Sequence, residues 1–263
     1  MNLPYVTVEA AKTGQGVNNE WGPWRAEAQE GIRQADLHLC FKPTDRKYLT
    51  ELLGSDDKLR DFPAFIDTED AESSSVDLPS HWRPETTRLV TTAMMRPGKK
   101  VRNFELLAET MKHVEAEDWN LVIVGGGPEE ENIRNMFADL PRDRLHWAGQ
   151  VERSEVLGWM ANSDIFIWPG WKEPIGMVYL EAQLMGLPVI ASRSMGVPMV
   201  VSHEKTGLLS PEEDPLAMAE NVKMLLGDKV LRSKFSAAAP SKVHNEHSIQ
   251  AASARLGEIL GQR

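Results

Sequence analysis

From residue 88 to residue 209 short apolar runs alternate with helical patterns, and this alternation limits the fold more than any other feature of the chain. The runs at 88–95, 120–124, 145–148, 164–168, 188–192 and 205–209 read as strands, and three of them (120–124, 164–168, 188–192) are apolar nearly throughout. A strand without a polar face has to be covered on both sides, which helices packed on a parallel sheet provide. The expected fold class is α/β, a doubly wound parallel sheet. Ligands of such sheets bind beyond the carboxyl ends of the strands. Three of the loops expected at that edge are unusual in composition.

The first lies in the stretch 168–192, WPGWKEPIGMVYLEAQLMGLPVIAS, which reads as strand end, loop, helix (176–185) and strand. Glu173 falls just before the helix and Glu181 two turns into it. The helix start at Gly176 offers unpaired N–H groups, with those of Met177 and Val178 next in line, and the positive end of the helix dipole, a seat for phosphate. Gly176 carries no Cβ to hold a ligand off the backbone. Carboxylates beside such a seat accept hydrogen bonds from sugar or ribose hydroxyls. Hydroxyls and phosphate together suggest a nucleotide sugar.

The second loop, RPGKKVR at 96–102, places Arg96, Lys99, Lys100 and Arg102 after a strand, with a helix expected from 103 to about 114. On a chain of net charge −10 these cations make a local anion pocket. The third loop, Gly125-Gly126-Gly127-Pro128, joins a strand to a helix in the Rossmann manner. The dinucleotide pattern G-x-G-x-x-G fails there, and Glu129, Glu130 and Glu131 would repel a pyrophosphate, which disfavours NAD.

The acidic balance argues against a general nucleic-acid or anionic-membrane binder. Cys40 is the sole cysteine, so neither an intrachain disulfide nor a cysteine zinc cluster is expected. The opening residues carry no basic and apolar leader, and no run approaches 18 apolar residues, so the expectation is a soluble, cytoplasmic protein with peripheral membrane contact left open. No D-x-D occurs, and the acidic run at 67–70 reads as a solvated charge cluster. No metal and no cofactor are expected.

The first stretch resembles the donor-site signature of retaining GT-B glycosyltransferases of family 4, P-S-x-x-E-x-x-G-x-x-x-x-E-A-x-x-x-G-x-P-V. It matches at Pro169, Glu173, Gly176, Glu181, Ala182, Gly186, Pro188 and Val189, with Gly170 where Ser is usual. The resemblance implies transfer of a sugar from a nucleotide diphosphate sugar, as co-substrate, to a hydroxyl acceptor with retention and without metal. It implies Arg96 and Lys100 (or Lys99) against the donor diphosphate, Glu173 at the sugar and Glu181 on the ribose. It also implies Gly125 and Gly127 as a close-approach loop, the backbone near Val151 at the base, and Gly176, Met177 and Val178 as phosphate-facing N–H groups. Val101 stands where the family has glycine, and Val197 and Met199 depart from its G-G-x-x-E segment. Trp168 and Trp171 read as core or rim residues rather than stacking platforms.

Before residue 88 the likeness is weak. A strand at 5–9, a connection at 12–16, a helix at 23–34, a strand at 37–41, a helix at 45–53 capped by Thr44 and a strand at 62–66 are expected, and the segments 34–37 and 61–67 resemble the last third of a GT-B N-terminal domain. The expected division is 1–66 as a shortened acceptor-side α/β region, 67–86 as a linker, 87–240 as the Rossmann-like donor domain, and 241–263 as a C-terminal helix returning to the N-terminal region. Helices are expected at 155–161, 215–226 and 248–260, with another beginning at 196–198. The short first region leaves the acceptor, saccharide or lipid-linked, undefined. It also raises alternatives: a non-catalytic nucleotide-sugar-binding module, a donor subunit needing a partner chain or a homodimer, or an epimerase, the last disfavoured because such enzymes close two full domains on the substrate.

Overall fold

The computed structural model describes residues 22–69 and 71–261, so the readings at 5–9 and 12–16 lie outside the described residues. The chain divides into two compact units, Met1–Phe62 and Pro63–Arg263.

In the first unit, helix α1 (Gly22–Gln34) precedes strand β1 (His38–Cys40), helix α2 (Pro43–Leu53) and strand β2 (Leu59–Asp61), and β1 and β2 pair in parallel. Helix α2 begins at Pro43, whose missing N–H costs nothing at the first helical position. Thr44 therefore lies inside the helix and is not its cap. Lys42 occupies the capping position without a side-chain cap bond, and Gly54 ends the helix at φ 78°. The strand expected at 62–66 ends instead at Asp61. Phe62 turns inward, edge-on to Phe41 at 5.9 Å between ring centroids.

The second unit holds six parallel strands. They are β3 (Thr87–Thr92), β4 (Trp119–Val124), β5 (Leu145–Gly149), β6 (Ile165–Ile167), β7 (Val189–Ser192) and β8 (Gly207–Ser210), in the order β5-β4-β3-β6-β7-β8. The chain starts in the middle, works outward to β5, then crosses back to β6 and works outward again. The order reverses between β3 and β6, which is where doubly wound sheets take their ligands. Helices α3 (Lys99–Lys112), α4 (Glu130–Met136), α5 (Arg153–Ala161), α6 (Met177–Leu184) and α7 (Val197–Val200) lie in the connections between strands, and α8 (Pro215–Gly227) follows β8. Every residue of β4, β6, β7 and β8 is buried, as strands with no polar face require.

Two long helices close the chain, α9 (Lys229–Glu246) and α10 (Ile249–Gly261). Asp214 and Asp228 accept the N–H groups of Ala217 and Leu231 and so open α8 and α9. Helix α9 was invisible to periodicity because Pro240 interrupts its middle. At the α9–α10 junction His247 bonds the Ala64 carbonyl at 2.7 Å, and Ile66 forms a bridge with Ser248. Parts of the segment read as a linker pack on the second unit. Ser74 N–H bonds the Ser154 carbonyl, the Trp82 indole N–H bonds the Asp143 carbonyl, and Val76, Leu78 and Trp82 pack against the core. No helix among the described residues is long and apolar enough to cross a membrane.

Candidate functional site

The basic segment differs from its sequence reading in a way that bears on its chemistry. The helix starts at Lys99, not near 103, with Gly98 capping it at φ 84°. Lys99, Lys100 and Arg102 are consequently first-turn residues rather than loop residues. Cations at a helix N-terminus oppose the macrodipole, which favours anions there. Such an arrangement becomes favourable once an anion arrives to be held by dipole and side chains together. Arg102 is already committed, bonding Glu105 at 3.1 Å and Glu213 at 3.2 Å, and these partners hold its guanidinium above the ordinary range. Lys100 points to the other predicted element: its Nζ lies 3.3 Å from Glu173 Oε2. The same ammonium stands 5.3 Å from the centroid of the Trp168 ring.

This Lys100–Glu173 meeting occurs where the strand order reverses, since the two residues follow β3 and β6. Trp168 is fully buried there and edge-on to Phe104 at 5.0 Å, a core residue as read from sequence. Asn103, 2% exposed, joins the two loops. Its Oδ1 accepts the Trp171 N–H at 2.7 Å, and its Nδ2 donates to the carbonyls of Lys99 and Trp171 at 2.8 and 3.2 Å. Sequence reasoning passed over this residue, because its partner Trp171 lies 68 positions away.

Gly176 has a packing role that its sequence position did not show. It caps α6 at φ 81°, but a Cβ there would lie 2.3 Å from the ring of Tyr179 and 3.2 Å from Glu173 Cγ. The missing side chain makes room for the buried Tyr179. Tyr179 donates to the Trp168 carbonyl at 3.1 Å. Burial first, and the charge of Glu173 second, push its phenol well above the usual value, so it stays a neutral donor. The N–H groups of Met177 and Val178 open α6 and have no intrahelical partner by helix geometry.

The glycine loop also serves packing. A Cβ at Gly125 would meet the Ala93 carbonyl oxygen at 2.1 Å, and one at Gly127 would meet that of Met95 at 2.4 Å. These contacts bring the β4 loop onto the β3 loop, where Met95 N–H bonds the Gly126 carbonyl. A cavity of about 450 Å³ opens beside them, lined by Arg96, Gly125, Gly127 and Val151 among others. Arg96 is solvent-exposed and faces this cavity, whereas Lys100, Glu173, Gly176, Met177, Val178 and Glu181 are not among its lining residues.

Glu181 faces Arg153 of α5 across 3.5 Å. Burial raises its carboxyl above the ordinary range, and the attraction of Arg153 only partly offsets that. Arg153 was not singled out in the sequence, although it stands two residues after Val151. Among the described residues no three His, Cys, Asp or Glu side chains are grouped to hold a metal ion.

Residues 86–228 match the family described as "Glycosyl transferases group 1". A GDP-mannose-dependent monoacylated alpha-(1-6)-phosphatidylinositol monomannoside mannosyltransferase of Corynebacterium glutamicum is 34% identical over 150 residues, 54% of this chain and 39% of that protein. An N-acetyl-alpha-D-glucosaminyl L-malate synthase of Bacillus anthracis is 30% identical over 150 residues, 56% of this chain and 39% of that one. The chain thus spans about two fifths of the length of these relatives. Among solved structures, sucrose-phosphate synthase from Thermosynechococcus elongatus superposes with a TM-score of 0.73 at 21% identity, covering 97% of this chain and 65% of that one. Anabaena HepE in complex with UDP superposes at 0.72 and 16% identity, covering 94% and 69%. These likenesses establish a shared fold.

Proposed function

Because this chain belongs to group 1 of the glycosyl transferases, we propose that it holds a nucleotide diphosphate sugar and transfers the sugar to a hydroxyl acceptor with retention, without a metal. The observation that carries this reading is the meeting of a cationic helix start with the acid-flanked tip of α6 where the strand order reverses. Departure of a nucleoside diphosphate leaves negative charge on phosphate while positive charge develops on the sugar ring. Lys100 and Arg96 take up the first charge, helped by the N–H groups of Met177 and Val178. Glu173 supports the second, and releasing Lys100 to the phosphate leaves its carboxylate available to the sugar. Glu181 accepts from the ribose hydroxyls, and the loops at Gly125, Gly127 and Val151 form the wall for the base. The GDP-mannose-dependent relative named above supports a donor of this class, and the UDP complex of HepE is consistent with it.

The test is a panel of UDP- and GDP-sugars followed by thermal unfolding and by release of nucleoside diphosphate. A donor at a hundred times its Kd stabilises by about 2.7 kcal/mol, an upward shift on the order of 5 °C for a chain of this size. No shift with any donor at millimolar concentration would sink the reading. A shift without release of nucleoside diphosphate, restored by a second chain, would assign donor binding to this chain and the acceptor side to a partner.

A pH dependence follows for Glu181. A carboxyl raised by burial binds its proton more tightly folded than unfolded, so it is free of penalty at low pH and destabilises the fold as pH rises through its folded value. Ribose hydroxyls need the ionised form. Arg153→Ala removes the one attraction that lowers this carboxyl, so the acid limb of donor binding moves to higher pH, and Arg153→Lys restores part of it. Titrating donor affinity against pH over the range in which both variants stay folded reads the effect. An acid limb that stays in place in Arg153→Ala would show that Glu181 is not the ribose acceptor.

A further inference from the structure

We infer that Asn103 is a positioning residue that fixes the spacing of Lys100 and Glu173, and so couples the diphosphate subsite to the sugar subsite. The inference rests on the donor reading above and adds to it a residue that touches neither part of the donor. Both ends of the Asn103 amide are occupied by backbone: Oδ1 takes the Trp171 N–H at 2.7 Å, and Nδ2 gives to Lys99 and Trp171 carbonyls at 2.8 and 3.2 Å. Lys100 lies three positions before it on the first turn of α3, and Glu173 two positions after Trp171. Since the amide clamps one loop to the other within two or three residues of each charge, the 3.3 Å Lys100–Glu173 contact inherits its geometry from this joint.

The loop at 171–175 also carries backbone strain. Lys172 sits at φ 52°, a conformation L residues rarely adopt, and Glu173 N–H reaches only back to the Gly170 carbonyl. An asparagine suits the joint because a single planar group must both accept and donate. Aspartate would keep the bond from Trp171 N–H but could not donate, and alanine would lose all three bonds.

A spacing error of about 1 Å between catalytic groups lowers the chemical step more than binding, on the order of a hundredfold. Asn103→Ala is therefore expected to lower the rate constant of donor hydrolysis by roughly tenfold or more while the nucleoside diphosphate Kd changes by less than about threefold, a split in kcat rather than KM. Asn103→Asp should fall between wild type and alanine. Amide hydrogen exchange gives a readout independent of turnover. Exchange across residues 169–175 should accelerate in Asn103→Ala, with that of Trp171 N–H least disturbed in Asn103→Asp. Unchanged exchange in Asn103→Ala overturns the joint itself. Accelerated exchange with kcat unchanged overturns its coupling to chemistry, and an equal loss of nucleotide binding and rate reduces Asn103 to a fold residue. If wild type neither binds nor hydrolyses any donor, the donor reading fails, while the exchange measurement still decides whether Asn103 holds the loop.

Discussion

Lys100→Met is expected to lower donor turnover roughly 10²- to 10³-fold, the range seen when one group aimed at developing negative charge is removed. The ammonium stands at the start of α3, where the dipole already favours an anion, and its partner in the free protein is Glu173 at 3.3 Å. Once the diphosphate begins to leave, the lysine gains a stronger partner than it loses, and that difference is what accelerates a reaction. The stability of the variant should hardly change. The two side chains are 33% and 19% exposed, and ion pairs of this partly wet kind contribute about 0–1 kcal/mol. The expected signature is a protein that melts within about 2 °C of wild type and barely turns over. Arg102→Met is the control, since its guanidinium is spent on Glu105 and Glu213, and it should leave turnover within about twofold while costing a little stability. Turnover in Lys100→Met within threefold of wild type, a margin well inside one decade, would move the diphosphate away from the start of α3.

How far the sequence led to these residues depends on what kind of force fixes each of them. Strands with no polar face could be read directly, because burial on both sides admits few arrangements, and the six parallel strands stand where the apolar runs are. Boundaries shifted wherever backbone geometry, not hydrophobicity, decides them. Helix α3 opens at Lys99 because Gly98 supplies φ 84°, while the run of cations reads as a loop. Helix α9 was hidden by Pro240, which periodicity takes for a break but which the surrounding packing tolerates. The same distinction runs through the site. Glu173, Glu181, Arg96 and Lys100 carry chemistry in their side chains and can be picked out by type and spacing. Asn103 and Arg153 act on other residues across 68 and 28 positions of sequence, and such contacts leave no local pattern. The glycines were legible as special positions, yet their purpose was not, because a missing Cβ in a sequence does not say which atoms occupy its place.

Gly125→Ala is the measurement that separates those purposes. Read from sequence, Gly125 lets a donor approach the backbone, and alanine there would weaken donor binding in an otherwise sound protein. In the structure the added Cβ would lie 2.1 Å from the Ala93 carbonyl oxygen and 2.9 Å from its carbon, on a backbone held at φ 131°. The carbonyl belongs to main chain bonded back through Ala93 N–H to the Val124 carbonyl, so it cannot swing aside as a side-chain tip would. Left-handed strain and overpacking each cost about 1–3 kcal/mol, and together they predict a loss of roughly 3 kcal/mol or more. For a folding unit of about 200 residues this lowers Tm by about 10 °C. Gly257→Ala in α10, where nothing lies within 4 Å of the added carbon, should instead gain about 0.5–1 kcal/mol from helix propensity. Urea or thermal unfolding of the two variants beside wild type suffices. If Gly125→Ala is as stable as the parent, the loop after β3 has room to move, and the place of Arg96 beside the cavity is no longer set by the fold. If the loss appears, this glycine holds two loops in register, and the geometry that presents Arg96 to the cavity depends on that contact.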